Sequence, residues 1–294
     1  MNQVSTGSTV PRRQLGRKLR ELRESRQLTV REVVAALEWS KPRVWRYETG
    51  QAPMHPTDVE AMCRLYGADT PLMEALKALA RETKSKGWWH SYGVDLPEWF
   101  ELYIGLEAAA SRLQQFESEV IPGLLQSPRY MRSIIGRGLR SQLTPDVVEQ
   151  RAALRVQRQQ ILTRRDPKAP NLDVIISEAA LLRGFGPDVM AEQFTTLVAL
   201  AERPNVSIRV LPLSAGPHRG FHGPFVILEF PKETLVRDPE PTTVYHEGPT
   251  GALYLDKPSE AEIYAAIWND LSSMSLDQAE SKRLITAMAE RWSQ

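Results

Sequence analysis

Apolar residues in the first 85 positions recur at three- and four-residue spacing, as they do in short amphipathic helices. Five such segments follow one another, separated by glycine, proline or capping residues. Their apolar markers are Leu15, Leu19 and Leu22; Val33, Val34 and Leu37; Val44 and Tyr47; Val59, Met62, Cys63 and Tyr66; and Leu72, Leu76 and Leu79. The pattern predicts a compact domain of five helices, after a Ser/Thr-rich tail over residues 1–11 that we expect to be disordered.

Two of the predicted helices have clear signals at their N-termini. Thr29 and Glu32 have the spacing of a capping box, and Ser40 is an N-cap candidate that precedes Pro42 in a first helical turn. The two helices are about eight residues long and are joined by a turn of about three to four residues, an arrangement that lets the second helix enter the major groove. We therefore expect residues 12–84 to be a DNA-binding domain.

The pattern changes after a short linker at residues 84–87. Helices are predicted at 97–119, 127–138, 144–165, 187–202, 258–272 and 276–292, and strands at 172–176, 206–211, 225–230, 243–247 and 252–255. The predicted second domain, residues 88–294, thus has an all-helical first half and an α+β second half. The fold class expected for the chain is an α-helical helix-turn-helix domain followed by a mixed α+β domain.

The charge of the chain is unevenly distributed, which favours contact between its N-terminal part and a polyanion. Residues 1–86 hold 16 basic and 10 acidic residues, a net charge of +6, whereas residues 87–294 hold 21 and 26, a net charge of −5.

The single cysteine, Cys63, cannot form an internal disulfide, and no apolar run approaches the roughly 20 residues that span a bilayer. With a polar N-terminus, these features predict a cytoplasmic, nucleoid-associated protein without a membrane partner.

The helix that follows Ser40 carries the side chains suited to read DNA. We expect Lys41, Arg43, Trp45 and Arg46 to be exposed on it, and Val44 and Tyr47 to face the core. Lysine and arginine donate to guanine O6 and N7, and a good pair gives about 1–3 kcal/mol of base discrimination. Ser40 and Thr29 lie at helix N-termini, where amides and hydroxyls can hold a phosphate group. Weaker phosphate contacts are predicted for Arg12, Arg13 and Arg17.

Four stretches of this segment resemble the Cro/C1-type (XRE) helix-turn-helix: residues 15–23, 28–29, 39–40 and 46–50. The resemblance implies that Ser40, Lys41, Pro42 and Arg46 read bases. It also implies an ion pair between Arg23 of the first helix and Glu48 of the reading helix. The chain departs from that family at Pro42, whose side chain has no donor. It departs again at Val30, where the family often has a glutamine that contacts phosphate or bases.

The second domain resembles the Scr1-type regulators of actinobacteria. The similarity lies in Trp88-Trp89, residues 96–100, 103–107 and 121–126, Tyr130, Gln159, and residues 177–181, 206–212 and 223–225. The resemblance implies a bacterial regulator that is often encoded beside a small partner protein, in an arrangement likened to toxin–antitoxin pairs. It carries over no enzymatic activity to this chain, and we interpret the Pro-Gly-Leu-Leu-Gln motif at residues 122–126 as a structural turn.

Other candidate sites have weaker support. His218, His222 and His246 lie in or near Gly/Pro-containing loops, and two or three such residues are too few to predict a metal site. No phosphate-binding loop, nucleophile elbow or Cys/His cluster occurs, so we predict no enzyme activity, no metal and no cofactor. An aromatic cluster has two open interpretations, a core at a hinge between the domains or a ligand pocket; its members are Trp88, Trp89, Trp99, Phe100 and Tyr103.

Together these features predict a sequence-specific transcriptional regulator that binds operator DNA as a homodimer, because two half-sites multiply the discrimination of one small domain. Its C-terminal domain would supply dimerisation and sense a partner protein or a small-molecule effector. The alternative is an antitoxin-like protein that chiefly binds a small protein encoded by an adjacent gene and uses DNA binding for autoregulation. An enzyme in the α+β half is a third hypothesis, which no recognisable nucleophile, metal cluster or phosphate loop supports.

Overall fold

The structure, a computed structural model, describes residues 9–82, 96–137, 143–231 and 240–292. These residues group into two compact units. Unit 1 contains the described residues 9–82 and 96–109 together with Glu240, and unit 2 contains the other described residues. Helix 98–109 therefore belongs to unit 1, although it lies beyond residue 84, where the sequence predicts the first domain to end.

The described part of unit 1 is α-helical, as the sequence predicts. Its helices are α1 (Thr9–Ser25), α2 (Val30–Leu37), α3 (Lys41–Glu48), α4 (Pro56–Tyr66), α5 (Thr70–Glu82) and α6 (Glu98–Ala109). The capping box is present at α2: Thr29 Oγ1 accepts a hydrogen bond from the Glu32 amide, and the Glu32 carboxylate accepts one from the Thr29 amide at 2.7 Å. Gly67, at φ +68°, ends α4 in the left-handed conformation that glycine adopts without strain.

Helices α1 to α5 enclose one apolar core. Its fully buried members are Leu15, Leu19, Val33, Val44, Val59, Met62, Cys63 and Ala80. The same burial raises the pKa of the Cys63 thiol to about 11, which keeps it protonated and inert as a core side chain. Gly16 permits α1 to lie directly on the end of α3, because a Cβ atom there would come within 2.4 Å of the Tyr47 carbonyl oxygen.

A buried ion pair joins α1 to the last residue of α3. Arg23 Nε and Nη2 donate to the two carboxylate oxygens of Glu48 at 2.7 and 2.9 Å, and neither side chain is more than 10% exposed. Tyr66 of α4 donates its hydroxyl to Glu48 at 3.2 Å, and Arg23 also donates to the Leu28 carbonyl. The hydrogen bond to Glu48 raises the pKa of the Arg23 guanidinium further. Four segments of unit 1 therefore meet at this pair.

Unit 2 is built around a six-stranded mixed sheet. Its strands are β1 (Arg112–Glu117), β2 (Asn171–Ser177), β3 (Val206–Leu211), β4 (Phe225–Glu229), β5 (Thr243–Gly248) and β6 (Gly251–Leu255). They lie in the order β3-β2-β1-β4-β5-β6; β1, β2 and β3 pair in parallel, and the other pairings are antiparallel. Its described helices are α7 (Pro128–Gly136), α8 (Pro145–Gln159), α9 (Glu178–Leu182), α10 (Pro187–Ala201), α11 (Pro258–Met274) and α12 (Gln278–Trp292).

The predicted long helix at 97–119 is wrong in its second half. Helix α6 ends at Ala109, and β1 follows as an inner strand between β2 and β4. Four consecutive residues of β1 are buried, and two of them are Gln114 and Gln115, so the strand shows neither apolar alternation nor an apolar run. The prediction of an all-helical first half for the second domain therefore fails, while the α+β class holds.

Both faces of the central strands are covered. One face packs its apolar side chains against Trp268 and Leu271 of α11; the strand residues on it are Phe116, Ile175, Leu211, Phe225, Ile227 and Val244. The outer edge of β3 is closed by side chain and backbone: the Val210 amide donates to Ser281 Oγ of α12, and the Val210 carbonyl accepts from the Leu276 amide. Among the described helices, none combines the length and the apolar character that a bilayer crossing requires.

Buried glutamines fix the turn formed by residues 122–126. Gln193 of α10, which is fully buried, donates to the Leu125 carbonyl and accepts from the Ser127 amide, both at 2.8 Å. Gln126 donates to the Ile121 carbonyl at 2.7 Å. Since Leu124 and Leu125 are also buried, the motif is a packed structural turn, as the sequence analysis interprets it.

Removing one partner of the pair between Arg23 and Glu48 should destabilise unit 1 strongly. In Arg23→Met the Glu48 carboxylate stays buried without its counter-ion, so we expect a loss of about 3–5 kcal/mol in the free energy of unfolding. Lys18→Met is the matched control, because Lys18 on the same helix forms only an exposed pair with Glu21, worth less than about 1 kcal/mol. Urea unfolding, followed by the helical circular dichroism signal, measures the free energy of unfolding of both variants. Equal losses would contradict the stabilising role assigned to the pair between Arg23 and Glu48.

Gln193→Met should destabilise unit 2 although it preserves side-chain volume. The Ser127 amide and the Leu125 carbonyl would both remain buried without a partner, which costs about 1–3 kcal/mol for each group. Gln160→Met serves as the control, since Gln160 is exposed. Thermal unfolding of the two variants should differ by several degrees, and an unchanged midpoint for Gln193→Met would show that the turn does not depend on it.

Candidate nucleic-acid interface

Helix α3 is held in place by one face and presents the other outward. Val44 is fully buried and Tyr47 is 9% exposed, as the sequence predicts for the core-facing side. Ser40 caps the helix, accepting a hydrogen bond from the Arg43 amide at 3.4 Å. Residues 38–40 join α2 to α3, and Glu38 at φ 54° makes the turn tight. The two helices and their short turn have the geometry of a helix-turn-helix.

The outer face of α3 consists of Lys41, Pro42, Trp45 and Arg46. Lys41 and Pro42 are exposed, Trp45 is 53% exposed, and Arg46 is half-buried. The pairs 41/45 and 42/46 are each one helical turn apart, so the four side chains form one continuous surface. It carries two cations, whereas the acidic residue of the helix, Glu48, is buried in its ion pair. The surface therefore suits an anionic partner with apolar edges, such as the groove of a duplex.

The side chain of Arg43 is engaged within unit 1. Its Nη2 lies 3.0 Å from Asp58 Oδ2, and its Nε donates to the Tyr47 hydroxyl at 3.3 Å. Tyr47 in turn donates to Asp58 at 2.8 Å, and the Arg43 guanidinium lies 4.2 Å from the centre of the Trp39 ring. Sequence reasoning missed Asp58 and Trp39, because the partners of a surface arginine leave no periodic signal.

Thr29 lies at the N-terminus of α2, where the sequence predicts a phosphate contact. Its hydroxyl lies 2.8 Å from Glu32 Oε2, and its amide donates to the same carboxylate. These two hydrogen bonds lower the pKa of Glu32. The capping box therefore supplies the Thr29 groups with an anionic partner from within the helix.

The predicted phosphate-binding arginines of α1 are also engaged. Arg12 and Arg13 are buried, and Arg13 Nε lies 2.9 Å from Glu240 Oε1. Arg17 is 24% exposed and donates from Nη1 and Nη2 to the two oxygens of Glu240, both at 2.8 Å. The sequence gives no sign of this contact, because Glu240 lies 223 residues from Arg17.

The predicted aromatic cluster is only partly visible. Trp88 and Trp89 lie outside the described residues, whereas Trp99, Phe100 and Tyr103 follow one another along α6. The rings of Phe100 and Tyr103 stack with their centres 5.9 Å apart, and Trp99 meets Phe100 edge-on at the same distance. Tyr103 is buried and the other two are half-buried. Neither the hinge nor the pocket interpretation is tested by these contacts.

The three histidines considered as metal ligands each contact a different group. His218 Nδ1 accepts from the Gly220 amide, and the His218 ring meets the edge of Phe116. His246 Nδ1 lies 2.8 Å from the Pro224 carbonyl oxygen, and the His222 ring lies 4.1 Å from that of Phe221 at an interplanar angle of 39°. Within the described ranges, no three His, Cys, Asp or Glu side chains gather as metal ligands would.

Two family models match successive parts of the chain. Residues 14–76 match a family described as "Helix-turn-helix domain" (HTH_31), and residues 100–287 match a "Domain of unknown function" (DUF5753). No curated protein and no solved structure matches the chain. The first match supports an XRE-like, DNA-binding regulator. Because the second covers well over half of its length, the chain belongs to the DUF5753 family and carries a helix-turn-helix domain in front of that region.

Proposed function

We propose that this protein is a sequence-specific transcriptional regulator that reads the major groove with the outer face of α3. The observation that carries the proposal is the combination of an exposed, cationic helix face with a buried opposite face that is fixed by Arg23 and Glu48. Base readout requires a rigid scaffold under the surface donors, because bidentate contacts depend on the position of the helix within the groove.

The residues divide into base-reading and positioning roles. Lys41 and Arg46 are the proposed donors to base edges, and Trp45 and Pro42 give apolar contacts to base or sugar groups. Ser40 and Thr29 are proposed to lie against phosphate groups at the helix N-termini. Arg43 remains a proposed DNA contact, but its bonds to Asp58 and Tyr47 favour a positioning role, in which it keeps α3 fixed against α4.

We further propose that residues 12–84 form the DNA-binding domain and that residues 88–294 form a Scr1-type domain for dimerisation and control. A homodimer would place two α3 helices in successive major grooves, about 34 Å apart, on a two-fold symmetric operator. A ligand or partner that changes this spacing would control binding. Size-exclusion chromatography with light scattering tests the dimer directly, and a monomer at assay concentrations would contradict it.

Binding to an operator selected from random duplexes, or from the DNA upstream of the gene, tests the reading face. We expect Lys41→Ala and Arg46→Ala each to lose about 1–3 kcal/mol of discrimination, that is roughly 5- to 150-fold in the ratio of specific to non-specific affinity. Arg129→Ala, which removes an exposed arginine of unit 2, is the matched control. An Arg46→Ala protein that binds its operator as selectively as the parent would overturn the assignment of α3.

Arg43 and Asp58 should behave as one unit in the same assay. Each single alanine substitution should weaken binding to all duplexes alike, and the double variant should lose no more than the larger single effect, because either change breaks the same contact. Anisotropy titrations with operator and unrelated duplex measure this. A loss of base preference in Arg43→Ala but not in Asp58→Ala would instead make Arg43 a direct reader.

A second candidate function is antitoxin-like binding of a small partner protein. Unit 2 exposes large apolar side chains that favour a protein partner, namely Leu213, Phe221 and Ile263 at 60–74% exposure. Co-purification with the product of the adjacent gene tests this function. If the complex forms and Phe221→Ser abolishes it while operator binding persists, the protein has both activities.

A further inference from the structure

The carboxylate of Glu240 occupies an arginine pair on α1 that the sequence predicts to contact DNA. Glu240 is 8% exposed, and its two oxygens receive three contacts of 2.8–2.9 Å from Arg13 and Arg17. Guanidinium groups bind phosphate oxygens with the same two-point geometry as carboxylate oxygens. The site is therefore a preformed anion site whose present occupant comes from the chain itself.

The arginine pair lies next to the reading helix. Gly16, which lies between Arg13 and Arg17, packs on the carbonyl oxygens of Tyr47 and Glu48, and Arg13 packs on Gly50. These contacts place the pair at the C-terminal end of α3. Since an eight-residue helix is only about 12 Å long, a duplex that lies along α3 presents phosphates near both of its ends.

Loss of Glu240 would take a bound carboxylate from both arginines, and replacing it requires another anion. Arg13 is 3% exposed, so removing a counter-ion from its guanidinium is costly. Arg17 is the more exposed partner, so it is the group at which one anion can begin to replace the other. A DNA phosphate group meets the requirement, because it is anionic and accepts bidentate donation.

We propose that Glu240 holds the place of a DNA phosphate and that duplex DNA competes with it for Arg17 and Arg13. The inference rests on the proposed DNA-binding function and adds a means of regulating it. Glu240 is separated by only two residues from Thr243, where β5 begins. A change at the start of β5 that moves Glu240 away would release the arginine pair for DNA. A change that returns Glu240 to the arginines would lower the affinity for DNA.

The salt dependence of binding to a random-sequence duplex tests the competition, since each phosphate contact contributes about 0.9 to the slope of log affinity against log salt. Glu240→Gln removes the competing charge with little change of shape, so its slope should be steeper than that of the parent by about one to two. Arg17→Gln should lower the slope by about one in the Glu240→Gln background, and by much less in the parent. Glu262→Gln, an exposed change on α11, should leave the slope unchanged.

Equal slopes for folded Glu240→Gln and the parent would overturn the proposal and leave Glu240 as a structural ion-pair partner. If that variant unfolds, hydrogen exchange of the unaltered protein tests the proposal instead. Peptides covering residues 240–248 should exchange faster when a random-sequence duplex is added. Unchanged or slower exchange would contradict the competition between Glu240 and DNA. A parent protein that binds no duplex at any salt concentration contradicts the proposed function itself. Selective binding of the parent with equal slopes contradicts only the role of Glu240.

Discussion

The buried pair between Arg23 and Glu48 is the constraint on which the proposed reading surface depends. It joins the end of α1 to the last residue of α3, and Tyr66 and Leu28 attach α4 and the turn before α2 to the same point. Because two charges are buried together, the pair tolerates little displacement in either helix. The orientation of α3, and with it the direction in which Lys41 and Arg46 project, is thereby fixed by groups that take no part in reading.

Polar groups have a comparable role in unit 2, where they are satisfied inside the fold. Gln193, Gln126 and Gln115 are all at least nine-tenths buried, and each of the first two bonds the backbone of the turn at residues 121–127. Such networks specify one arrangement, since any alternative packing leaves an amide without a partner. This turn is therefore a rigid part of unit 2, and the large exposed apolar residues Leu213, Phe221 and Ile263 lie elsewhere in the unit.

Local patterns predicted most of the elements, and non-local contacts explain the failures. The helices of the first domain and the strands after residue 170 follow apolar periodicity, caps and glycine or proline boundaries, all of which lie within a few residues of one another. Strand β1 was not predicted, because its buried glutamines resemble a continuation of α6 and its partner strands lie far along the chain. The engagement of Arg43 by Asp58, and of Arg13 and Arg17 by Glu240, likewise depends on contacts that no local pattern records.

The position of β1 in the sheet has a consequence for biosynthesis. This strand is among the earliest parts of unit 2 to leave the ribosome, yet its register partners are residues 171–176 and 225–229. Loop-closure entropy must be met before either pairing forms, so the nascent strand stays without its first neighbour, β2, until residues 118–170 have been added, and without β4 until residue 225. The helices of unit 1, whose contacts are mostly local, can form during that interval, and Arg13 and Arg17 wait longer still for Glu240. A nascent chain in this interval presents its arginine pair to solvent anions before it has acquired its own carboxylate.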